Sequence, residues 1–263
     1  MSSNTLLALR PTLETLYAKY HRPIYRVMDP VDVVWDYACE EDQAIAGLWA
    51  ALFAWGKRSV SIQKTRLLLG ALSPSPYAYL RSGKPLLVSL RHRTWKPETI
   101  ALLWENLREL YGRYGGLQAF FGPYREDLSE GVAAFQAEMT KRAPALRRHL
   151  GDLQRGSASK KLCLWLRWMI RKDAIDPGPW AHTFSPAHLY IPLDVHLLSW
   201  ARHHNLICYS NASWKATLTL TKAFREIAPH DPLRYDFAIL TASSLGALHL
   251  PGRSAKQLIP KEG

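Results

Sequence analysis

The sequence is poor in cysteine, short of acids for its number of bases, and without a long apolar run. Each shortage removes a class of function. Its three cysteines, Cys39, Cys163 and Cys208, are too few and too scattered for a disulfide framework or a four-cysteine iron–sulfur cluster. Reduced thiols and a cytoplasmic location are therefore expected. No apolar stretch approaches the roughly 20 residues that a membrane span requires. The opening MSSNTLLALRPTLE lacks a basic segment followed by a continuous apolar core, so a secretory signal is not expected. Internal repeats, low-complexity linkers and runs of strand-like alternation are also missing.

What is present is a globular composition with a strong charge bias. A hydrophobic share of 48% over 263 residues supports one sizeable core, or two small lobes sharing a cleft, and argues against disorder. Thirty-four Lys and Arg against 22 Asp and Glu leave a formal charge of +12, which points to a polyanionic partner, nucleic acid before membrane. The bias is local. Lys141 to Lys172 carries most of the mid-chain bases and a single acid, Asp152, the charge pattern of a surface that tracks phosphates.

Helical patterning dominates. A first helix is expected over 5–27, and Asp29-Pro30 supplies an N-cap followed by proline at the first helical position. Further helices are expected over Asp42–Trp55 (closed by Gly56), Ser59–Leu72, from Pro97 to Gly115-Gly116, over Ser129–Met139, over a basic Lys141–Arg155, from Ser213 to Ile227, and from Asp231-Pro232 to Gly246. The tail over 251–263 is polar and basic and is expected to fray. The expected architecture is all-α, a single unit of two helical lobes over 1–263.

The chemistry concentrates in a basic hairpin region of about 141–205. Leu162, Trp165, Leu166, Met169 and Ile170 recur at helical spacing, so a core-facing helix should begin near Lys160 and Lys161. Two cations in a first helical turn oppose the helix dipole, and a phosphate or carboxylate nearby would offset that. A solvated lysine pair is the alternative. Pro192-Leu193-Asp194-Val195-His196 opens the next helix, with Asp194 at the N-cap. A purely structural cap is the alternative there. His196 is a lone histidine, and no metal or other cofactor is expected.

Pro192 to His196, running into an apolar helix, resembles the aspartate segment of helix–hairpin–helix DNA glycosylases, written V-D-[TV]-H. More closely, the chain resembles an uncharacterised bacterial family neighbouring the archaeal 8-oxoguanine DNA glycosylases. The matching stretches are 29–56, 160–171, 191–196 and 231–237. The hairpin signature L-P-G-[VI]-G-x-[KQ] is replaced by Gly156-Ser157-Ala158-Ser159-Lys160. The lysine-to-aspartate spacing is longer than in the common glycosylases and looks like that of the archaeal group.

The resemblance implies a helix–hairpin–helix glycosylase fold with a cleft between its lobes, and base-excision repair of an oxidised purine such as 8-oxoguanine. It implies Lys160 as Schiff-base nucleophile, with AP lyase activity, and Asp194 as its carboxylate partner. Lys161 would contact phosphate or lower the pKa of Lys160. Arg147, Arg148, Arg155 and Arg167 would hold DNA, and Arg167 would also depress the lysine pKa. For the base pocket, Gln43, Trp55, Tyr235 and Asp236 offer an aromatic face and polar edges; core or cap roles are the alternative for each. The partner would be duplex DNA carrying a damaged base, bound by a monomer on the nucleoid, with no membrane involved. A non-catalytic DNA-binding protein of the same fold and an RNA-binding protein are the competing readings.

If the basic stretch tracks a DNA backbone, duplex affinity should fall with a log–log salt slope of about −0.9 per phosphate contacted. Charge reversal at Arg147 and Arg148 should weaken all duplex sequences about equally. Fluorescence anisotropy across a salt series checks both, and salt-insensitive binding would count against a nucleic-acid partner.

Overall fold

The computed structural model describes residues 2–248, with side chains from Leu6. It is all-helical among the described residues, apart from one isolated bridge between His92 and Trp95. The helices are α1 (Ser2–Tyr20), α2 (Pro23–Arg26), α3 (Glu40–Phe53), α4 (Arg58–Gly70), α5 (Pro76–Arg81), α6 (Pro97–Tyr114) and α7 (Leu117–Phe121). Then follow α8 (Leu128–Lys141), α9 (Arg147–Leu150), α10 (Lys160–Ile170), α11 (Val195–His203), α12 (Trp214–Ile227) and α13 (Asp236–Ser244). None of the described helices is long and apolar enough to cross a membrane. The tail over 251–263 lies outside the described residues.

Several expected helices differ from those observed, each for a local reason. The first stops at Tyr20 because Arg22 is extended before Pro23, which has no N–H to continue the ladder. Asp29 caps as expected, its side chain accepting from the Val31 N–H, but the turn that follows (Pro30–Asp36) is 3-10. Lys141–Arg155 is not one helix. Pro144 interrupts it after a non-helical Ala143, and Gly151, at φ +81°, ends the short α9. Asp231-Pro232 opens a run of i→i+3 turns rather than a helix, and α13 begins at Asp236.

One apolar core runs from Leu6 to Ile239. Within it α3 packs on α10, α4 and the 3-10 turn over 30–36, while α1 returns to pack on α12 and α13. The first and last described helices thus pack together. At the α3–α10 crossing Trp165 lies buried and donates its indole N–H to the Ala44 carbonyl at 3.0 Å. The crossing is close because position 47 has no side chain. A Cβ on Gly47 would lie 2.8 Å from the Met169 methyl and 3.3 Å from Trp165.

Gly47→Ala should therefore be near neutral, since the gain of about 1 kcal/mol in helix propensity offsets a contact that a flexible methionine can yield. Gly47→Leu must displace Trp165 as well and should cost about 1–3 kcal/mol or more. Urea denaturation of the two variants checks this; equal stability would mean the helices do not meet here.

Candidate active site

The cleft lies between the turn before α10 and the start of α11. Its first end is the turn before α10. Ser159, the residue preceding the helix, is left-handed at φ +48°, ψ +31°, an unusual state for a residue with a side chain. Buried Gln136 on α8 holds it there. The Gln136 amide donates to the Ser159 hydroxyl at 3.0 Å and to the Leu150 carbonyl at 2.9 Å, and its carbonyl accepts from Leu153 N–H at 2.8 Å. From the far side, the Trp214 N–H donates to the Gly156 carbonyl at 2.9 Å. The start of α10 is thereby fixed on α8 and α12 together.

The second end is Asp194. Its Oδ1 accepts from the His196 and Leu197 N–H groups at 2.9 and 2.8 Å, capping α11 as expected. The carboxylate has a second oxygen, and Oδ2 stands 3.6 Å from Lys160 Nζ. Cap and lysine partner are therefore one residue using two atoms. The aspartate side chain is nearly buried while the lysine is about one-third open.

Lys160 and Asp194 both border two adjoining hollows. The inner one, about 230 Å³, is also lined by Trp55, Arg167, His196 and Asp236. The outer one, about 530 Å³, is also lined by Trp55, Arg148, His149, Ser159 and Lys161. Trp55 stands between them, half exposed, with the Arg93 guanidinium 5.6 Å and the Lys161 ammonium 5.9 Å from its ring centre. Burial and the neighbouring Lys160 lower the Lys161 pKa to about 8. Burial, Lys161 and Arg148 take His149 down to about 4, so its ring is neutral at physiological pH.

Arg167 does not face solvent, contrary to the expectation of a phosphate contact. It is 2% exposed and grips Asp176 with two bonds of 3.0 Å, reaching Asp236 Oδ2 at 3.2 Å. Arg171 joins the same cluster through Asp176, Asp173 and Asp231. A guanidinium so buried and so fully paired cannot reach a DNA backbone. Burial pushes the Asp236 carboxyl up to about 6, against the pull of Arg167 and Arg171. Its Oδ1 is buried without a hydrogen-bond partner among the described residues.

The other expected residues divide. Trp55 and Asp236 meet in the inner hollow, whereas Gln43 and Tyr235 lie elsewhere. Gln43 donates to the Tyr37 carbonyl at 2.8 Å, tying down the loop before α3. Tyr235 is buried against α1 and donates to Glu14 Oε1 at 2.6 Å. Arg147 and Arg155 are exposed but share Asp152, at 3.3 and 3.4 Å, and Arg148 is exposed at the outer hollow. His196 places Nδ1 3.1 Å from the Ser243 hydroxyl. The described residues hold no group of three or more side chains suited to a metal. Spacing and motif do not mark Gln136 or His149 as site residues, and Arg93 reads only as one base in the basic 91–96 stretch. Gln136 sits at core spacing with Val132, Phe135 and Met139, but its partners are backbone groups that no spacing reveals.

Residues 29–244 match a family model described as "Protein of unknown function (DUF2400)". Among curated proteins and solved structures, nothing matches the chain.

The double duty of Asp194 has a measurable signature. Asp194→Ala should lose about 1 kcal/mol of stability with the cap, whereas Asp194→Asn keeps an acceptor and should lose much less. Urea denaturation distinguishes them, and equal losses would mean that the cap contributes nothing.

Proposed function

The chain belongs to the DUF2400 family, and from its cleft we propose that it is a DNA glycosylase with AP lyase activity, built on a fold like that of the helix–hairpin–helix glycosylases. The observation that carries this reading is the 3.6 Å approach of Lys160 to an Asp194 oxygen that the helix cap leaves free. An amine and a carboxylate from distant parts of the chain share the mouth of a hollow beside an aromatic face. The inner hollow, about 230 Å³, falls below the roughly 300–1,000 Å³ usual for drug-sized ligands and suits a single heterocycle.

A base in a duplex is beyond reach of such a cleft, so the nucleotide must be extruded. With the base in the inner hollow, Trp55 offers its face for stacking, and a small shift of Asp236 would bring its unpartnered Oδ1 to a ring N–H. An oxidised purine such as 8-oxoguanine carries a donor at N7 that guanine lacks. Lys160, as the free amine, attacks C1′; the C1′–N9 bond breaks and the base leaves with the electron pair. Asp194 stabilises the positive charge developing on the sugar and accepts the proton lost by the amine. Opening of the C1′–O4′ bond then gives the iminium, with O4′ protonated. The exposed Arg148 and the outer hollow accommodate the DNA backbone, and the working location would be the nucleoid in the cytoplasm.

Borohydride should trap a covalent adduct with duplex DNA carrying 8-oxoguanine, and Lys160→Gln should abolish it. Asp194→Asn should leave the melting temperature and DNA binding close to wild type while lowering base release by orders of magnitude. Neither an adduct nor a free base from any damaged duplex would leave the non-catalytic DNA-binding reading in place. Full activity in folded Asp194→Asn would remove the aspartate from the mechanism.

A further inference from the structure

We propose that Lys161 is a second catalytic amine, the base that removes the C2′ proton in strand cleavage; this rests on the Schiff-base reading of Lys160. Elimination needs a proton acceptor beside the iminium, and the cleft offers few. Asp194 has one oxygen committed to two backbone N–H groups and the other to Lys160. His149 is stacked face to face on Trp95, 4.0 Å between ring centres, and is only 5% exposed. Asp236, Asp29 and His196 line the inner hollow and not the outer one.

Lys161 is placed differently. Successive helical residues project about 100° apart, so the two lysines leave α10 in different directions. Lys160 borders both hollows, whereas Lys161 borders the outer one only. A sugar joined at C1′ to Lys160, with its base site in the inner hollow, turns C2′ and its 3′ phosphate towards the outer one. The Lys161 amine is anchored there by one bond, 3.4 Å to the His149 carbonyl, with its stem covered and the Trp55 ring beside it. No carboxylate is paired with it among the described residues. The charged and titratable groups around it are Lys160 on its own helix, Arg148 and His149 on α9, His92 and Arg93 on the turn beyond Trp55, and Asp194 across the hollow. Burial, and after it the Lys160 charge, favour the neutral amine, which is the form a base requires.

The step balances without any outside reagent. The Lys161 nitrogen takes the C2′ proton, and the C2′–H electrons form a C1′=C2′ bond as the iminium becomes an enamine. Those electrons then expel the 3′ phosphate as C3′–O breaks, leaving a conjugated iminium on Lys160. Water releases the unsaturated aldehyde and regenerates the amine, and the Lys161 ammonium returns its proton to solvent.

The test uses the full chain and a duplex with a preformed abasic site, so that the identity of the lesion is irrelevant. In Lys161→Met, and in Lys161→Arg, which keeps a cation that does not deprotonate, strand cleavage should fall about a hundredfold. Borohydride-trappable adduct at Lys160 should persist and accumulate with time. Wild-type decay of that adduct to cleaved strand should quicken as pH rises to about 8 and then level off, a dependence absent from both variants. Undiminished cleavage in either variant, with normal adduct, overturns the role of Lys161 alone, as does a decay rate that ignores pH. If the wild-type chain gives no adduct with the abasic duplex, the Schiff-base reading fails and this inference with it.

Discussion

Two arginines, Arg167 in the last turn of α10 and Arg171 just past its end, converge on a single carboxylate, Asp176, that has no exposure at all. Charges this deep are tolerable only with near-complete pairing, and loss of one partner from such a group costs about 3–5 kcal/mol. The pairing reaches outward to Asp236 on α13, to Asp231 in the turn before it, and to Asp173, which also meets His21 just past α1 at 3.0 Å. Burial works against ionisation of Asp173, but the His21 hydrogen bond and Arg171 outweigh it and hold the carboxyl below the usual range. The cluster thus rivets the end of α10 to α13 and to the end of α1. With Trp165 pinned to α3 and Gln136 holding the opposite end, α10 has little freedom to slide or rotate.

That rigidity bears on the cleft because Lys160 lies at the first position of the same helix. A lysine on four rotatable bonds is a poor positioning device unless its backbone and its partner are both fixed. The helix supplies one, and the Asp194 cap supplies the other by spending one carboxylate oxygen on α11. The aspartate cannot swing away from the lysine without giving up two hydrogen bonds to backbone. The inner hollow inherits the arrangement, since Arg167 and Asp236 are members of the buried cluster as well as part of its wall.

Local signals were legible in the sequence wherever one residue determines one hydrogen bond. The caps at Asp29, Asp194 and Ser213, the stop at Gly115 and the apolar face of α10 follow from side-chain type and spacing, and so does the all-helical character. The pairing of Lys160 with Asp194 came from resemblance, since no periodicity brings positions so far apart together. What stayed hidden depends on which partner wins. Arg167 reads as one more base in a basic run until three-dimensional packing supplies Asp176 and Asp236. Asp231-Pro232 has the form of a helix start, and its carboxylate does accept from the Leu233 N–H while also holding Arg171, but only i→i+3 turns follow before α13 begins at Asp236. Tyr235 and Gln43 look like pocket residues by chemistry and are placed elsewhere by topology.

The position of Trp55 also has an optical consequence. Most of the tryptophans are sealed in the core, Trp49, Trp95, Trp104, Trp165, Trp168 and Trp180 among them, and their indoles emit from an apolar, unchanging environment. Trp55 is half in water and flanked by two cations where the inner and outer hollows meet. A planar ring laid against it would displace that water and change its emission, while the sealed indoles, and Trp35, which lines neither hollow, provide a steady background. Subtracting the spectrum of Trp55→Phe isolates the signal, so occupancy of the cleft is readable in the unlabelled protein by light alone.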